Sequence, residues 1–354
     1  MNYFIIGFYA LVIGASSMAA FYQKRTLFLL LFSLTLVSFI MGIVGGEAML
    51  WSVTILAGLI AFSAGVSFSF REFLVILLPP DLAKAMRTAP LTAGFGLFVI
   101  FTYAISGIFA PIIAPYGEAE VISSAFAPAD ENMLLGADQL GRDMFSRIIY
   151  GARNTVGLAL LATILAFAMG ATAGLYAATV GGKLDQLLSR IVDVIMSIPS
   201  LIFSLLLLSI FGTNTVTLII VIAIIYAPRV YRLARSVGGN VVVMDYIEAA
   251  KLRGEGNWYL IRKEILPNSS APLIAEFGLE FCFVFLLVAG LSFLGLGIQP
   301  PTADWGSMVR ENATLISFGE ITPLIPAGAI ALLTVAVNFV VDWMLFMSSG
   351  LKEQ

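Results

Sequence analysis

The sequence has 354 residues, 60% of them hydrophobic and only 12% Asp, Glu, Lys or Arg, whereas soluble domains carry roughly 25% charged residues, so a soluble globular protein is excluded. Because the chain has no histidine and a single cysteine, Cys282, it cannot carry a His-based triad, an internal disulfide or a cysteine cluster, and we predict no metal site. The net charge of −3 argues against a nucleic-acid partner.

Apolar segments of about 20 residues recur along the chain and predict an all-α polytopic membrane protein, because helices of that length cross the ~30 Å hydrocarbon core and satisfy their own backbone hydrogen bonds. The predicted spans number about nine and lie near residues 3–22, 26–45, 48–70, 91–114, 154–178, 186–211, 216–234, 272–295 and 325–347. No lysine or arginine precedes the first apolar segment, which favours a retained helix over a signal peptide.

Lysine and arginine in the short loops orient the chain, because positive residues stay preferentially in the cytoplasm. With the N-terminus outside, the cytoplasmic loops hold most of these residues: Lys24, Arg25, Arg71, Lys84, Arg87, Arg232, Arg235, Lys251, Arg253, Arg262, Lys263 and Lys352. The exceptions are Arg142, Arg147 and Arg153, which this orientation places outside, where Asp138 and Asp143 offset their charge only in part.

The predicted spans divide the chain into three parts. Residues 1–88 form an N-terminal membrane extension of three helices, closed by a link with a proline pair. Residues 89–153 hold one helix and a long outside segment, and residues 154–354 hold five helices. The role of residues 1–88 stays open between packing around the core and binding an accessory protein.

A dense run of charged residues at 244–267, here called the polar block, interrupts the apolar C-terminal part on the cytoplasmic side. Residues 244–254 predict a short helix that ends at Gly254, and 257–266 predict a second one with Asn257 as N-cap and Pro267 beyond its end. Small side chains at Ala249 and Ala250 leave room for a close partner surface. On composition alone, the block is either a docking element for a soluble partner or a pair of amphipathic helices lying on the membrane.

The motif "EAAKLRG", followed by "ILP" at the right distance, resembles the EAA loop of bacterial ABC-importer permeases. The matching positions are Glu248, Ala249, Ala250, Gly254, Leu266 and Pro267. The resemblance implies that this loop is the coupling helix that sits in a groove of a separate ATPase subunit, with Glu248 orienting it by capping or pairing. One departure is Glu264, which stands where the family has an apolar residue.

Two further stretches, at 135–153 ("LGADQLGRDMFSRIIYGAR") and 291–309 ("LSFLGLGIQPPTADWGSMV"), resemble the C-type subunit of the dipeptide, oligopeptide and nickel permeases. Together the motifs cover roughly residues 89–347. The resemblance implies a type I ABC-importer permease fold, a multi-pass chain of the bacterial inner membrane, a second permease subunit and an external substrate-binding protein. The family has one helix before the outside segment, whereas this sequence has four.

The function that the resemblance implies is the ATP-driven, binding-protein-dependent import of short peptides by alternating access, with nickel or an oligosaccharide as alternative substrates. The chain lacks the G-x-x-x-x-G-K-[ST] phosphate loop, so we expect ATP and Mg²⁺ on partner ATPase chains and no cofactor on this one. An intramembrane enzyme is disfavoured because no nucleophile-and-base set is recognisable, and an energy-independent channel would not need the EAA loop.

The outside segments 115–150 and 297–322 are the candidate contacts for the substrate-binding protein. In the second segment, Gln299 and Asp304 either contact that partner or are solvated. Trp305 either contacts the partner or, as an amphipathic side chain, lies at the level of the lipid headgroups.

A set of charged residues falls toward the predicted cytoplasmic ends of the later spans, where charges are costly and tend to face the bundle interior or a wet cavity. Its members are Arg229, Arg232, Glu276, Glu280 and Asp342. The set is either a ring of charge at the inner mouth of the pathway or a group of ion pairs that pins helix ends together.

Overall fold

The computed structural model describes residues 47–348, preceded by Thr26, Leu29, Leu30 and Ser33. Within the described residues the backbone forms helices and two isolated β-bridges, Val121 with Arg142 and Ala137 with Asp143, and no longer strand. The all-α fold predicted from the apolar segments is therefore confirmed. The predicted span at 3–22, and that at 26–45 apart from the four residues just named, lie outside the described residues.

The helices are numbered here in chain order. They are α1 Glu47–Leu77, α2 Pro80–Arg87, α3 Leu91–Ile108, α4 Ala110–Ile113, α5 Met144–Val180, α6 Gly182–Met196, α7 Ser200–Phe211, α8 Thr215–Val242, α9 Asp245–Leu252, α10 Asn257–Phe293, α11 Trp305–Asn312 and α12 Leu324–Ser348.

Five of these helices, namely α3, α5, α8, α10 and α12, are long and apolar enough to cross a membrane. The pair α6 and α7 provides a sixth crossing if it is counted as one span, which matches the six spans predicted between residues 91 and 347. The span predicted at 186–211 is not one continuous helix, because the chain bends by 89° between α6 and α7. The bend falls at Pro199, since proline and the residue before it disfavour a continuous helix.

Both α5 and α10 contain 37 residues, about 55 Å at 1.5 Å per residue, so each extends beyond a ~30 Å hydrocarbon core. Each also contains a π-helical turn, Ala152–Val156 in α5 and Leu260–Ile265 in α10. The turn in α10 directly precedes Pro267, whose ring would clash with the preceding turn of a regular α-helix. The predicted second short helix therefore does not end before Pro267 but continues into the following span.

The centre of the second part of the chain is the packing of α5 against α8. Its buried apolar side chains include Ala162, Ala166, Leu218 and Ile222, and they join a cluster with residues of α10 and α12. Small residues let the backbones of two membrane helices approach closely, which gains van der Waals contact where lipid provides no hydrophobic driving force.

The chain divides into two compact units, Met1–Phe98 and Val99–Gln354. In the first, the buried Arg71 side chain donates to the carbonyl of Ala89 at 3.2 Å and pairs with Glu72 at 3.1 Å. Its guanidinium also lies 5.2 Å from the ring of Phe68. The second unit contains every site residue described below.

Candidate functional site

The polar block is a short helix, α9, joined to α10 by a tight turn at Gly254. Gly254 has a φ of +86°, and the N–H of Glu255 donates to the carbonyl of Ala250 at 3.2 Å, while that of Gly254 donates to Lys251 at 2.9 Å. These are the bonds of a left-handed helix terminus, where glycine is favoured because it has no Cβ. The predicted helix end at Gly254 is confirmed. The residue before the second helix is Gly256 rather than Asn257, so the predicted N-cap is displaced by one position.

One face of α9 is buried against the rest of the chain. Ile247 and Ala250 are fully buried and pack with Leu260 and Ile265 of α10 in an apolar cluster that also includes Ala234 of α8. The small size of Ala250 therefore serves internal packing, and the prediction that it faces a partner is wrong. Because both flanking helices contribute to the cluster, α9 packs against each of them.

The opposite face of α9 is exposed and mixed in character. Its exposed residues include Glu248, Ala249, Lys251 and Leu252, and Arg253, which directly follows the helix, is also exposed. Leu252 is 84% exposed and lies beside charged side chains. The Glu248 carboxylate caps no helix and forms no ion pair within the described part of the chain, so its expected orienting role is not seen. This face offers a small apolar tip surrounded by charge.

The C-terminal part of the EAA motif lies at the start of the long α10. Leu266 and Pro267 are exposed, whereas Ile265 is fully buried in the apolar cluster. Glu264, which departs from the family pattern, is half-buried, and its carbonyl accepts from the Asn268 amide at 2.6 Å. Ile265 thus supplies the buried apolar contact beside Leu266 and Pro267.

The outside segments form a buried ion network at the opposite end of α8 from the polar block. The 28 residues of α8 span about 40 Å between these two ends. Asp138 pairs with Arg142 at 2.7 Å and with Arg147 at 3.3 Å. Glu311 pairs with the same two arginines at 3.0 and 3.6 Å. Two of the three arginines that disagreed with the positive-inside pattern are therefore neutralised inside the fold. The network also joins the two outside segments, since 169 residues separate Arg142 from Glu311.

Asp304 is fully buried and caps the start of α11, where its carboxylate accepts from the N–H of Ser307 at 2.8 Å and from the hydroxyl of Thr155 at 2.9 Å. Burial raises the pKa of this carboxyl, and the hydrogen bonds from Ser307 and Thr155 oppose that rise. The prediction that Asp304 is solvated or contacts a partner is wrong, because no part of the side chain reaches the surface.

Trp305 is also fully buried, which overturns both its predicted headgroup position and its predicted partner contact. The indole N–H donates to the carbonyl of Ile148 at 3.0 Å, and the ring packs edge-on to Tyr103 with centroids 5.3 Å apart. A Cβ on Gly151 would stand 2.4 Å from the indole, so this glycine makes space for the ring. Gln299 is exposed, and its amide donates to the carbonyls of Gly295 and Gly297 at 3.1 and 2.9 Å.

The five charged residues of the predicted inner mouth do not form one ring. Arg232 pairs with Asp193 of α6 at 2.6 Å, and both side chains of this pair are about half exposed. Asp342 is also exposed. Arg229 instead lies between two aromatic rings, 5.1 Å from Tyr226 and 5.0 Å from Phe283.

Arg229 is the fifteenth of the 28 residues of α8, so it lies in the middle of that helix rather than at its predicted cytoplasmic end. Glu276 and Glu280 lie one turn apart on α10 and interact electrostatically with Arg229. Glu280 is only 2% exposed, and its Oε2 atom has no hydrogen-bond partner within the described residues. The structure thus brings together three of the five predicted residues.

Sequence reasoning missed two features of this unit. One is the pair Gly170 and Gly174, a small-residue repeat at the spacing of one helical turn on α5. The other is the buried ion network, whose signal was the presence of three arginines on the side where few are expected.

The comparisons of the sequence with known proteins agree on one family. A family model described as "Binding-protein-dependent transport system inner membrane component" matches residues 170–349. The dipeptide transport system permease protein DppC of Alkalihalophilus pseudofirmus is 35% identical over 249 residues, which cover 70% of this chain and 82% of that protein. The di/tripeptide transport system permease protein DppC of Pseudomonas aeruginosa is 33% identical over 254 residues, which cover 70% of this chain and 84% of that protein.

The glutathione transport system permease protein GsiD of Pectobacterium atrosepticum is 31% identical over 289 residues, which cover 77% of this chain and 94% of that protein. Among solved structures, a chain of the MetNI methionine ABC transporter in an inward-facing conformation is 18% identical, with a TM-score of 0.47 over 56% of this chain and 94% of that chain.

Proposed function

The chain belongs to the family of binding-protein-dependent transport system inner membrane components, and we propose that it is the membrane permease subunit of an ATP-driven importer of short peptides. The peptide substrate is supported by the relatives, whose names specify dipeptide, di/tripeptide and glutathione transport. The observation that carries the transport mechanism is the apolar packing of α9 against both α8 and α10, together with an exposed outer face.

The exposed face of α9 is the proposed docking surface for the ATPase subunit. An apolar tip at Leu252 ringed by Glu248, Lys251 and Arg253 is suited to a groove with an apolar floor and charged rims. ATP and Mg²⁺ are held by the partner, and this chain receives only the movement of the ATPase subunits.

Alternating access follows from how α9 is held. A displacement of α9 is passed to α8 and α10 together, because Ile247 and Ala250 are buried against residues of both helices. Both helices reach the outer end of the unit, about 40 Å away along α8, so a movement at the cytoplasmic end tilts the walls of the pathway at the other end. We propose that this rocking opens the pathway alternately to each side.

A second permease subunit completes the proposed pathway, and an external substrate-binding protein delivers the peptide. The outer segments are a suitable platform for that protein, since the buried network of Asp138, Arg142, Arg147 and Glu311 holds them together as one rigid surface. Gln299 is exposed there and remains a proposed contact.

For the N-terminal part, we propose a membrane extension at residues 1–88 that is distinct from the permease core. The matched relatives cover 70–77% of this chain, and the family model begins at residue 170. The compact unit Met1–Phe98 has nearly the same extent as the proposed extension.

The proposal is tested by affinity purification of the tagged chain from mildly solubilised bacterial membranes, with co-purifying proteins identified by mass spectrometry. ATPase and second permease subunits should co-purify with the wild type, and the Gly254→Trp variant should retain the permease but lose the ATPase. Gly182→Trp is the matched control, because Gly182 also has a positive φ, of +63°, and is exposed, but is the first residue of α6 and lies outside the polar block. Absence of any ATPase subunit from the folded wild type would contradict the proposal and favour an energy-independent channel.

A further inference from the structure

A cavity of about 450 Å³ opens at the outer end of the second unit, apart from the coupling loop. It lies between the start of α5, the loop before α8 and the loop after α10. Its polar lining comprises Arg153, Asn154, Thr213, Asn214, Gln299 and Thr302. Leu158, Leu161 and Ile219 supply an apolar wall, so the cavity combines hydrogen-bonding groups with a surface for an aliphatic side chain.

Arg153 is the one charged side chain in the lining of this cavity. Arg153 is exposed and forms no ion pair within the described residues, unlike Arg142 and Arg147, which are buried in the ion network. No carboxylate lines the cavity. Arg153 is therefore the one arginine of the outside trio whose charge the described part of the fold does not neutralise, and it points to an anionic ligand.

The lining is held in place by the same contacts that fix the outside segments. The Asn154 amide donates to the Glu118 carboxylate at 2.9 Å and to the carbonyl of Ala303 at 2.8 Å. The Ala303 N–H donates to the same Glu118 oxygen at 2.8 Å. Asn214 caps α8 by accepting from the N–H of Thr217 at 2.8 Å. The walls are thus preformed before a ligand arrives, which lowers the entropy cost of binding.

We propose that this cavity binds the carboxylate end of the transported peptide at the outer mouth of the permease. A guanidinium binds a carboxylate through two parallel charge-assisted hydrogen bonds, and the hydroxyls of Thr213 and Thr302 in the lining can hydrogen-bond to the backbone of a peptide. The volume lies within the range of about 300–1,000 Å³ that is usual for small-molecule sites. The inference rests on the proposed function, because it takes the peptide as the substrate.

The position of the cavity connects it with the transport cycle. Thr215 and Ile219 of its wall belong to α8, and Ile298 and Gln299 follow α10. These are the two helices to which α9 is attached at the cytoplasmic end. A movement of α9 therefore changes the spacing of the cavity walls, which allows ATP-driven release of the carboxylate toward the pathway.

The test uses the complete importer, with its partner permease, ATPases and binding protein, reconstituted in liposomes. Radiolabelled dialanine and its C-terminal amide are the probes, and the variants are Arg153→Gln and Arg153→Lys. Arg310→Gln is the control, because Arg310 is exposed on the same side but outside the cavity. Uptake, ATP hydrolysis and the affinity of the binding protein for the complex are measured for each variant.

Arg153→Gln should lower dialanine uptake roughly tenfold, the scale of one charge-assisted hydrogen bond, while ATP hydrolysis and binding-protein affinity stay within about twofold of the wild type. The preference of the importer for the acid over the amide should shrink by a similar factor, and Arg153→Lys should recover part of it. The binding protein is the same throughout, so a change in this preference reports on the permease.

Three results would overturn the inference. Unchanged uptake by Arg153→Gln places the cavity off the pathway, and weakened binding-protein affinity makes Arg153 a docking residue. A defect that disappears in liposomes of neutral phosphatidylcholine identifies an anionic lipid headgroup as the ligand. If instead the wild-type importer hydrolyses ATP but accumulates no dialanine, the proposed peptide function itself is contradicted. The carboxylate site is then contradicted as well, because it takes a peptide as the substrate.

Discussion

Gly170 on α5 lies directly against the backbone of Ala227 on α8, so that a Cβ atom on Gly170 would stand 2.4 Å from the Ala227 carbonyl oxygen. The same arrangement recurs one turn later, where a Cβ on Gly174 would stand 2.5 Å from the carbonyl oxygen of Tyr231. A backbone carbonyl inside a helix cannot move away by a rotamer change. The close approach of α5 and α8 therefore depends on glycine at both positions, because even the methyl group of alanine would collide with the facing backbone.

Replacement of Gly170 by alanine should separate α5 from α8 and destabilise the chain by about 1–3 kcal/mol, the usual cost of overpacking. The measurement is thermal denaturation of the purified chain in detergent. Gly290→Ala is the control, because nothing lies within 4 Å of a Cβ at this position in α10, and alanine favours a helix. Equal melting temperatures for the two variants would show that the close approach is not needed.

A second prediction separates the buried and exposed faces of α9. Ile247→Ala removes a fully buried side chain and should cost about 2–4 kcal/mol of stability. Leu252→Ala changes a side chain that is 84% exposed and should leave the stability of the chain unaltered, yet weaken ATPase association. Thermal denaturation and co-purification of the ATPase distinguish the two effects. Normal ATPase association of Leu252→Ala would remove this residue from the docking surface.

The outer ion network provides a third prediction. Arg147→Gln leaves Asp138 and Glu311 with one arginine instead of two in a buried site, and breaking a buried ion pair costs about 3–5 kcal/mol. Arg153→Gln, six residues along the same helix, removes an exposed charge and should leave stability unchanged. Denaturation of both variants in the same detergent is the measurement, and a matching loss in Arg153→Gln would mean that this side chain is also structural.

Trp305 tests how the outer loop is attached to the helices. Trp305→Phe keeps most of the buried ring but removes the N–H that donates to Ile148, so we expect a loss of about 1 kcal/mol. Trp305→Ala should cost about 3–5 kcal/mol because it leaves a large cavity. If Trp305 lay instead at the headgroup level, Trp305→Phe and Trp305→Ala would have similar, small effects on the melting temperature.

Glu280 distinguishes the two interpretations of the charges within the spans. Glu280→Lys places a second positive charge beside Arg229 in a buried setting, and we expect the chain to lose its folded state and its assembly with the partner permease. Glu280→Gln keeps the shape without the charge and should assemble. Size-exclusion chromatography of the co-expressed subunits is the measurement. Normal assembly of Glu280→Lys with abolished transport would favour a charged lining of the pathway over structural pairing.

Much of the architecture was determined by the sequence alone, because it depends on properties that short stretches carry by themselves. A run of 20 apolar residues partitions into lipid as a helix whatever surrounds it, so each span after residue 90 was located by its apolar segment. The polar ends of the long helices were missed: α5 begins ten residues and α10 fifteen residues before the predicted span, and α8 ends eight residues after it. Gly254 was identified as a helix end, since the left-handed conformation is a local preference of glycine. The EAA motif revealed the family through the same kind of local pattern.

The tertiary structure decided which side each polar or amphipathic residue faces. Trp305 has the composition of an interfacial residue but is buried, because Gly151 of α5 leaves room for its ring. Arg142 and Arg147 disagree with the positive-inside pattern, but their charges are partly neutralised by Glu311, which is 169 residues from Arg142 in the sequence. Ala250 and Ala249 are identical in type and adjacent in sequence, yet only Ala249 is exposed. Each of these outcomes depends on a contact between residues that are far apart in the sequence. The hydropathy and spacing of a short stretch do not reveal which distant residue will contact it.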